Sequence, residues 1–415
     1  MVAAIVMAGC AGASPKPTGP VPVMTRGVAA VEPTADPRPF GAADTAFGLD
    51  VLRAWCAQYP RQNLVFSPST LATALGMAYL GARGATAQAM AKVLHLPAAG
   101  GEPLAAGLQA RAAALGHLDG PGVTLAASNQ VWADPSLPPL RGYLNSVATG
   151  YGAGVAQTPF MTDPQRAADE INQSISDATR GHIPRLVTPG MLTGIGWVLT
   201  SALYMNAAWA TPFEPAETEP EPFTVAGGQK VTAHFMNGKV FPFATADGWD
   251  AVSFAYKGDK LTMTALLPPA GASTCALPSQ GALQAMTATL NAPPGLNNEA
   301  IALLPKVSLS TGGPKGDMKA VLERLGMGLA FTDAADFTAL SKAACCIGFV
   351  QQAATLRVGE KGTVAAAAAA AGVVATSGVF APHLVNFNRP YLMLVTDTTT
   401  GEPLFLAKVA NPTTS

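Results

Sequence analysis

Glu360–Pro382 reads EKGTVAAAAAAAGVVATSGVFAP and contains seven consecutive alanines, Ala365–Ala371. Alanine is the best helix former, yet this run is shorter than an isolated helix needs in water. No capping residue directly precedes it, and Gly372 and Gly378 interrupt the residues after it. Upstream, Ala354–Val358 alternates like a strand. Downstream, Leu384–Val395 is an apolar strand run with Pro390 inside it. A small-residue segment this long between two strands of a compact domain is uncommon and usually functional. On these residues alone a flexible Ala/Gly linker fits as well as a functional loop.

The chain has 415 residues, 49% hydrophobic and 12% charged, with a formal net charge of −1. A large core is therefore available and wholesale disorder is excluded. Without a Lys/Arg cluster there is no electrostatic footprint for nucleic acid or for an anionic membrane surface. No apolar run reaches the length of a spanning helix. The start, MVAAIVMAGC, is apolar and ends in small residues before Cys10. It resembles the lipobox of bacterial lipoproteins, in which such a cysteine is lipidated, although the basic start of a secretory signal is missing. Residues 11–40 hold seven prolines and read as a tether. Residues 1–40 are thus expected to be a lipoprotein-type signal and linker, giving an extracellular, lipid-anchored protein at a bacterial surface. The folded domain is expected over residues 41–415.

Cys56, Cys275, Cys345 and Cys346 remain. An even number in an oxidising compartment permits a disulfide. Adjacent cysteines rarely bond each other comfortably, so Cys275 to Cys345 or Cys346 is the candidate, with buried free thiols as the competing reading. No C-x-x-C or Cys/His spacing suggests a metal, and no cofactor is implied.

Helical spacing predicts a helix over Thr45–Tyr59, then a short strand at Asn63–Pro68 and helices at Ser69–Leu80 and Ala87–Leu94. Leu125–Trp132 alternates as a strand, and Asp163–Arg180 is helical. Trp197–Trp209 is almost continuously apolar, as in a strand buried on both faces. Hairpins come next at Phe223–Met236, Ala251–Leu267 and Tyr391–Val409. Ile301–Leu309 reads as one strand with a proline in it, and Asp317–Leu325 as a helix. Helices dominate the first half and antiparallel strands the second, so the class is α+β in one large domain. The five histidines are scattered, and HExxH, GxSxG and P-loop motifs are absent. No enzyme site emerges.

Five blocks, in order, resemble one family, the serpins. They are Asn63–Pro68 with Leu80-Gly81 and Thr86; Ile171-Asn172 with Thr179-x-Gly181-x-Ile183, where Ser174 replaces the family aromatic; and Leu203–Trp209 with Phe213 and Phe223. Leu304-Pro305-Lys306 with Phe331–Leu340 is the fourth, and Phe387–Tyr391 with Pro403–Phe405 and Asn411-Pro412 the fifth. The resemblance covers about residues 41–412. It implies a large central mixed sheet, two smaller antiparallel sheets, several helices and an exposed reactive-centre loop at about 360–382.

In that fold a protease cleaves the loop, whose hinge side inserts as a new central strand and drags the acylated protease along. Insertion needs small side chains and free N–H groups. The hinge Glu360, Gly362, Thr363, Ala365, Ala366, Ala367 and Ala368 meets both needs, so the resemblance implies a monomeric inhibitor of serine proteases, not an enzyme. A non-inhibitory, surface-tethered binding serpin is the alternative. The resemblance pairs Glu360 with Lys306 near Trp209, where the sheet opens first. It maps a polar cluster behind the sheet onto Ser67, Thr70, Ser201 and Gln352, the last two replacing the usual Asn and His. Counting from the hinge puts the reactive bond at Thr376–Ser377, and counting back from Phe387-Asn388 puts it at Val379–Phe380. The apolar residues before either bond suit an elastase-like or subtilisin-like protease, with cysteine proteases also open.

Overall fold

Trp197–Ala208 forms the strand at the middle of the fold, buried along nearly its whole length, as its almost continuous apolarity predicts. In the computed structural model, residues 22–97, 101–237, 239–293, 295, 298–363 and 382–414 are described. The central sheet runs in the order Val23–Thr25, Val155–Gln157, Val123–Ala133, Trp197–Ala208, Gly362–Thr363, Val350–Gly359, Val307–Thr311. It is mixed. Val123–Ala133 pairs antiparallel with the Trp197 strand along its full length, whereas Val350–Thr355 pairs parallel with Leu199–Tyr204 on the other side. One face carries helix Pro68–Tyr79. The opposite face carries helix Pro164–Ala178, whose Ala167, Ile171 and Ile175 pack on Trp132, Val198, Ala202 and Ala353.

The second sheet holds the expected hairpins. The two smaller sheets run together through Glu299–Pro305, which pairs antiparallel with Lys230–Met236 and Val240–Ala246 and parallel with His383–Asn386. The expected strand Ile301–Leu309 is in fact two, Glu299–Pro305 and Val307–Thr311, one in each sheet. Pro305 has no N–H with which to extend a ladder, and the next amide, Lys306, donates to His234 in the second sheet. The downstream run Leu384–Val395 likewise divides into His383–Asn386 and Tyr391–Asp397, with Pro390 between them.

Part of the stretch read as a tether is packed. Val23–Thr25 extends the central sheet by pairing with Val155–Gln157. A Cβ on Gly27 would lie 2.3 Å from the Leu144–Asn145 backbone, so the chain runs directly against helix Arg141–Tyr151. The first long helix is Arg38–Gln58, beginning seven residues before the expected Thr45. Its Pro39 sits in the first turn, where a missing N–H costs nothing, so a proline read as a linker signal belongs to a helix start.

The cysteine pairing differs from expectation. Cys56 is bonded to Cys275 with Cα atoms 5.7 Å apart, whereas Cys345 and Cys346 are free thiols. The end of helix Arg38–Gln58 and the segment before helix Gln280–Leu290 meet only through tertiary packing, which residue spacing cannot reveal.

Candidate functional site

Gly362 and Thr363 already form a two-residue strand between the two central strands. Thr363 pairs with Val358 on one side and Ala207 on the other, and Gly362 with Gly359 and Ala208. Farther down, the Trp197 and Val350 strands pair directly with each other. The sheet is therefore forked, with Gly362 and Thr363 seated in the mouth of the fork. Gly362 is required there: its φ is 140°, and a Cβ would fall 2.2 Å from the carbonyl oxygen of Ala207. Thr363 is fully buried, and its hydroxyl lies 2.6 Å from that of Tyr256. Burial raises the Tyr256 pKa, keeping the phenol neutral.

The expected Lys306–Glu360–Trp209 group is brought together. Lys306 Nζ donates to Glu360 Oε1 at 2.9 Å, and Thr218 Oγ1 donates to the same oxygen at 3.1 Å. Trp209 Nε1 donates to the Gly359 carbonyl at 2.9 Å. The backbone amides of Trp209 and Phe213 donate to Lys361 and Glu360 carbonyls. Burial alone would raise the Glu360 pKa, but the bonds from Lys306 and Thr218 outweigh it and hold the carboxyl below its ordinary range. The Lys306 side chain is 44% exposed. Such a bridge contributes roughly 0–1 kcal/mol, enough to bias the fork without locking it.

Behind the fork, Ser67, Thr70, Ser201 and Gln352 form one buried cluster. Ser201 Oγ donates to Thr70 Oγ1 at 2.8 Å, and Gln352 Nε2 donates to the Ser67 carbonyl at 2.9 Å. The cluster ties the Trp197 and Val350 strands to helix Pro68–Tyr79 immediately below the fork. It contains no ionisable group, so its hydrogen bonds do not switch with pH.

Other motif residues acquire physical roles. Asn172 accepts from the Leu186 and Val187 amides and donates to the Val187 carbonyl. It thereby fixes the segment after the overlying helix. Thr179 receives the Ile183 amide while Gly181 supplies a φ of 80°. Asn63 binds the backbone of Ala410, Asn411 and Thr414, stapling the short Leu64–Phe66 strand to the C-terminus. Ala365–Ala368, Thr376, Ser377, Val379, Phe380 and Cys10 lie outside the described residues.

Sequence reasoning missed a buried charge cluster. Arg111, on helix Gly101–Gly116, contacts Asp44 of the first long helix and Glu402 of the C-terminal hairpin, the latter at 2.6 Å. All three residues are at most 4% exposed. Burial works against the arginine charge, but the two carboxylates outweigh it and raise the pKa, so Arg111 stays charged. Partners 67 and 291 residues away leave no local sequence signal.

A family model described as Serpin (serine protease inhibitor) matches residues 42–412. An uncharacterized serpin-like protein of Thermococcus kodakarensis is 28% identical over 90% of this chain and 86% of its own. The leukocyte elastase inhibitor of Bos taurus is 28% identical over 90% of this chain and 99% of its own. Among solved structures, the native state of tengpin, a thermophilic serpin, superposes with a TM-score of 0.78 at 23% identity, covering 93% of this chain and 97% of that one. Uncleaved ovalbumin gives 0.76 at 20% identity, covering 90% and 100%.

Proposed function

The chain belongs to the serpin family, and from that premise we propose that it is an inhibitory member that traps a serine endopeptidase as a covalent acyl-enzyme. The protease's own nucleophile attacks a loop carbonyl. Before the acyl bond is hydrolysed, the loop inserts into the central sheet and carries the protease with it. The observation carrying this reading is the strand Gly362–Thr363, seated with both flanking ladders formed and succeeded in sequence by residues that fit the same slot. Val364 and seven alanines supply an N–H at every position and no bulky side chain.

Lys306, Glu360 and Trp209 act as the gate at the mouth. Ser67, Thr70, Ser201 and Gln352 hold the two strands together below it. The reactive bond is Thr376–Ser377, with Val379–Phe380 as the second position, and the protease is elastase-like or subtilisin-like. The inhibitor is monomeric and acts outside the cell, anchored through lipidated Cys10.

Incubation with pancreatic elastase or subtilisin, followed by denaturing electrophoresis, tests the mechanism. A complex that survives denaturation is expected, and Thr363→Arg should abolish it while leaving the loop cleavable. Mass spectrometry of the released peptide identifies the bond. Loss of acyl incorporation in Cys10→Ser tests the anchor separately.

The second reading, a non-inhibitory binding serpin, draws on a cavity away from the fork. It holds about 620 Å³ and lies between helix Arg38–Gln58, helix Gln280–Leu290 and the second sheet. That size suits a small ligand. Cleavage of the loop with full protease activity remaining would favour this reading.

A further inference from the structure

We propose that Asp333, Cys345 and Cys346 form a binding site for a thiophilic divalent cation of the zinc or cadmium class. The two thiols are free, and Cys345 Sγ lies 2.7 Å from Cys346 Sγ and 3.2 Å from Asp333 Oδ1. The three donor atoms all lie within 4.8 Å of one another. Among the described residues this is the group of His, Cys, Asp and Glu side chains so arranged. It differs from an acidic surface cluster because two of its donors are soft sulfurs, the ligands that select zinc-like ions over magnesium or calcium. The carboxylate supplies a third ligand from a separate turn, and a tetrahedral ion would keep a fourth position for water.

The cluster's setting brings its donor-bearing segments together and leaves the site open to solvent. The Ile347 amide donates to the Ala330 carbonyl, which holds the cysteine loop beside the segment leading to Asp333. Cys346 is half-buried and faces Trp197, Leu199, Phe337 and Leu340 at the foot of the central strands. Asp333 and Cys345 are exposed, leaving the site open to solvent. Zinc–sulfur bonds of about 2.3 Å at a tetrahedral angle put two sulfurs about 3.8 Å apart. The pair must therefore open by about 1 Å, which side-chain rotation in an exposed loop can supply. Binding releases the two thiol protons to solvent and leaves two thiolates and one carboxylate on the cation.

The site stands where the Val350 strand begins, so an ion bridging it would pin the foot of that strand to the Asp333 turn. A bound cation should therefore raise the melting temperature of the intact protein as its concentration rises. This consequence does not depend on protease trapping.

The test uses the full chain carrying Cys10→Ser, with Cys345 and Cys346 reduced under conditions that leave the Cys56–Cys275 bond intact, titrated with cadmium and followed by thiolate-to-metal absorption and calorimetry. One ion per chain is expected. Cys345→Ser and Cys346→Ser should each weaken binding by about 100-fold or more, and Asp333→Asn by about 10-fold, on the scale of metal-site changes. Cadmium bound equally by the Cys345→Ser/Cys346→Ser double variant would overturn the proposal. So would a thiol titration showing that the isolated protein holds this pair as a disulfide that reductant does not open. Unchanged affinity in Asp333→Asn would overturn the three-donor site.

Discussion

Glu360 makes the fork sensitive to acid in a defined direction. Its folded-state pKa is held low by Lys306 and Thr218, so near that value the unfolded chain binds more protons than the folded one. The Glu360 contribution is present above the ordinary glutamate pKa of about 4.3 and is lost as pH falls through the lower folded value. Hydrogen exchange at Gly362 and Thr363 should accelerate as pH drops through this window, after correction for the intrinsic pH dependence of exchange. In Glu360→Gln the extra acceleration should disappear. Gly362→Val tests the close approach at the mouth. With φ at 140° and the Ala207 oxygen 2.2 Å from the new Cβ, the change should cost about 1–3 kcal/mol. Gly362 and Thr363 should lose exchange protection, and under the proposed mechanism more of the protein should be consumed as substrate per protease trapped.

Among elements, the first long helix, helix Gly101–Gly116 and the C-terminal hairpin are joined by Arg111. Arg111→Met leaves the Asp44 and Glu402 carboxylates buried together without a cation, a loss of about 3–5 kcal/mol. Chemical denaturation should show a lower midpoint with an unchanged slope. Replacing all three residues by apolar ones should recover most of the loss, because the desolvation penalty disappears with the charges. The cluster also explains why helix Gly101–Gly116 is not legible in the sequence. It presents no clear apolar stripe, and one of its anchors is a charge whose partners lie on distant elements. Helix Pro164–Ala178 is legible because Ile171 and Ile175 mark one face and Asp163 caps its start by accepting the Arg166 amide.

At the scale of the whole molecule, the Trp197 and Val350 strands pair directly below the fork and must part to admit a longer strand. The intact protein is proposed to hold that capacity in reserve. An inserted loop strand would add on the order of ten ladder hydrogen bonds, each worth about 1 kcal/mol. At about 2–4 °C per kcal/mol for a large domain, cleavage in the loop should raise the melting temperature by about 20 °C or more. Calorimetry of intact and nicked protein checks this, and an unchanged melting temperature would remove insertion from the mechanism.

The sequence by itself determined the α+β class, the buried central strand and the hairpins, and its resemblance to the serpins pointed to the residues that meet at the fork. The class, strand and hairpins are written in local periodicity, and the fork residues in motifs shared with the family; that only glycine fits at 362 emerged from the close approach of the Ala207 carbonyl. Tertiary structure alone decided the Cys56–Cys275 bond, the Arg111 cluster, the packing of Val23–Thr25 at the sheet edge and the meeting of Asp333 with Cys345 and Cys346. These depend on contacts between segments far apart in the chain. Such contacts arise when each element buries its own apolar face, and no spacing within a single segment encodes which distant side chain will be waiting there.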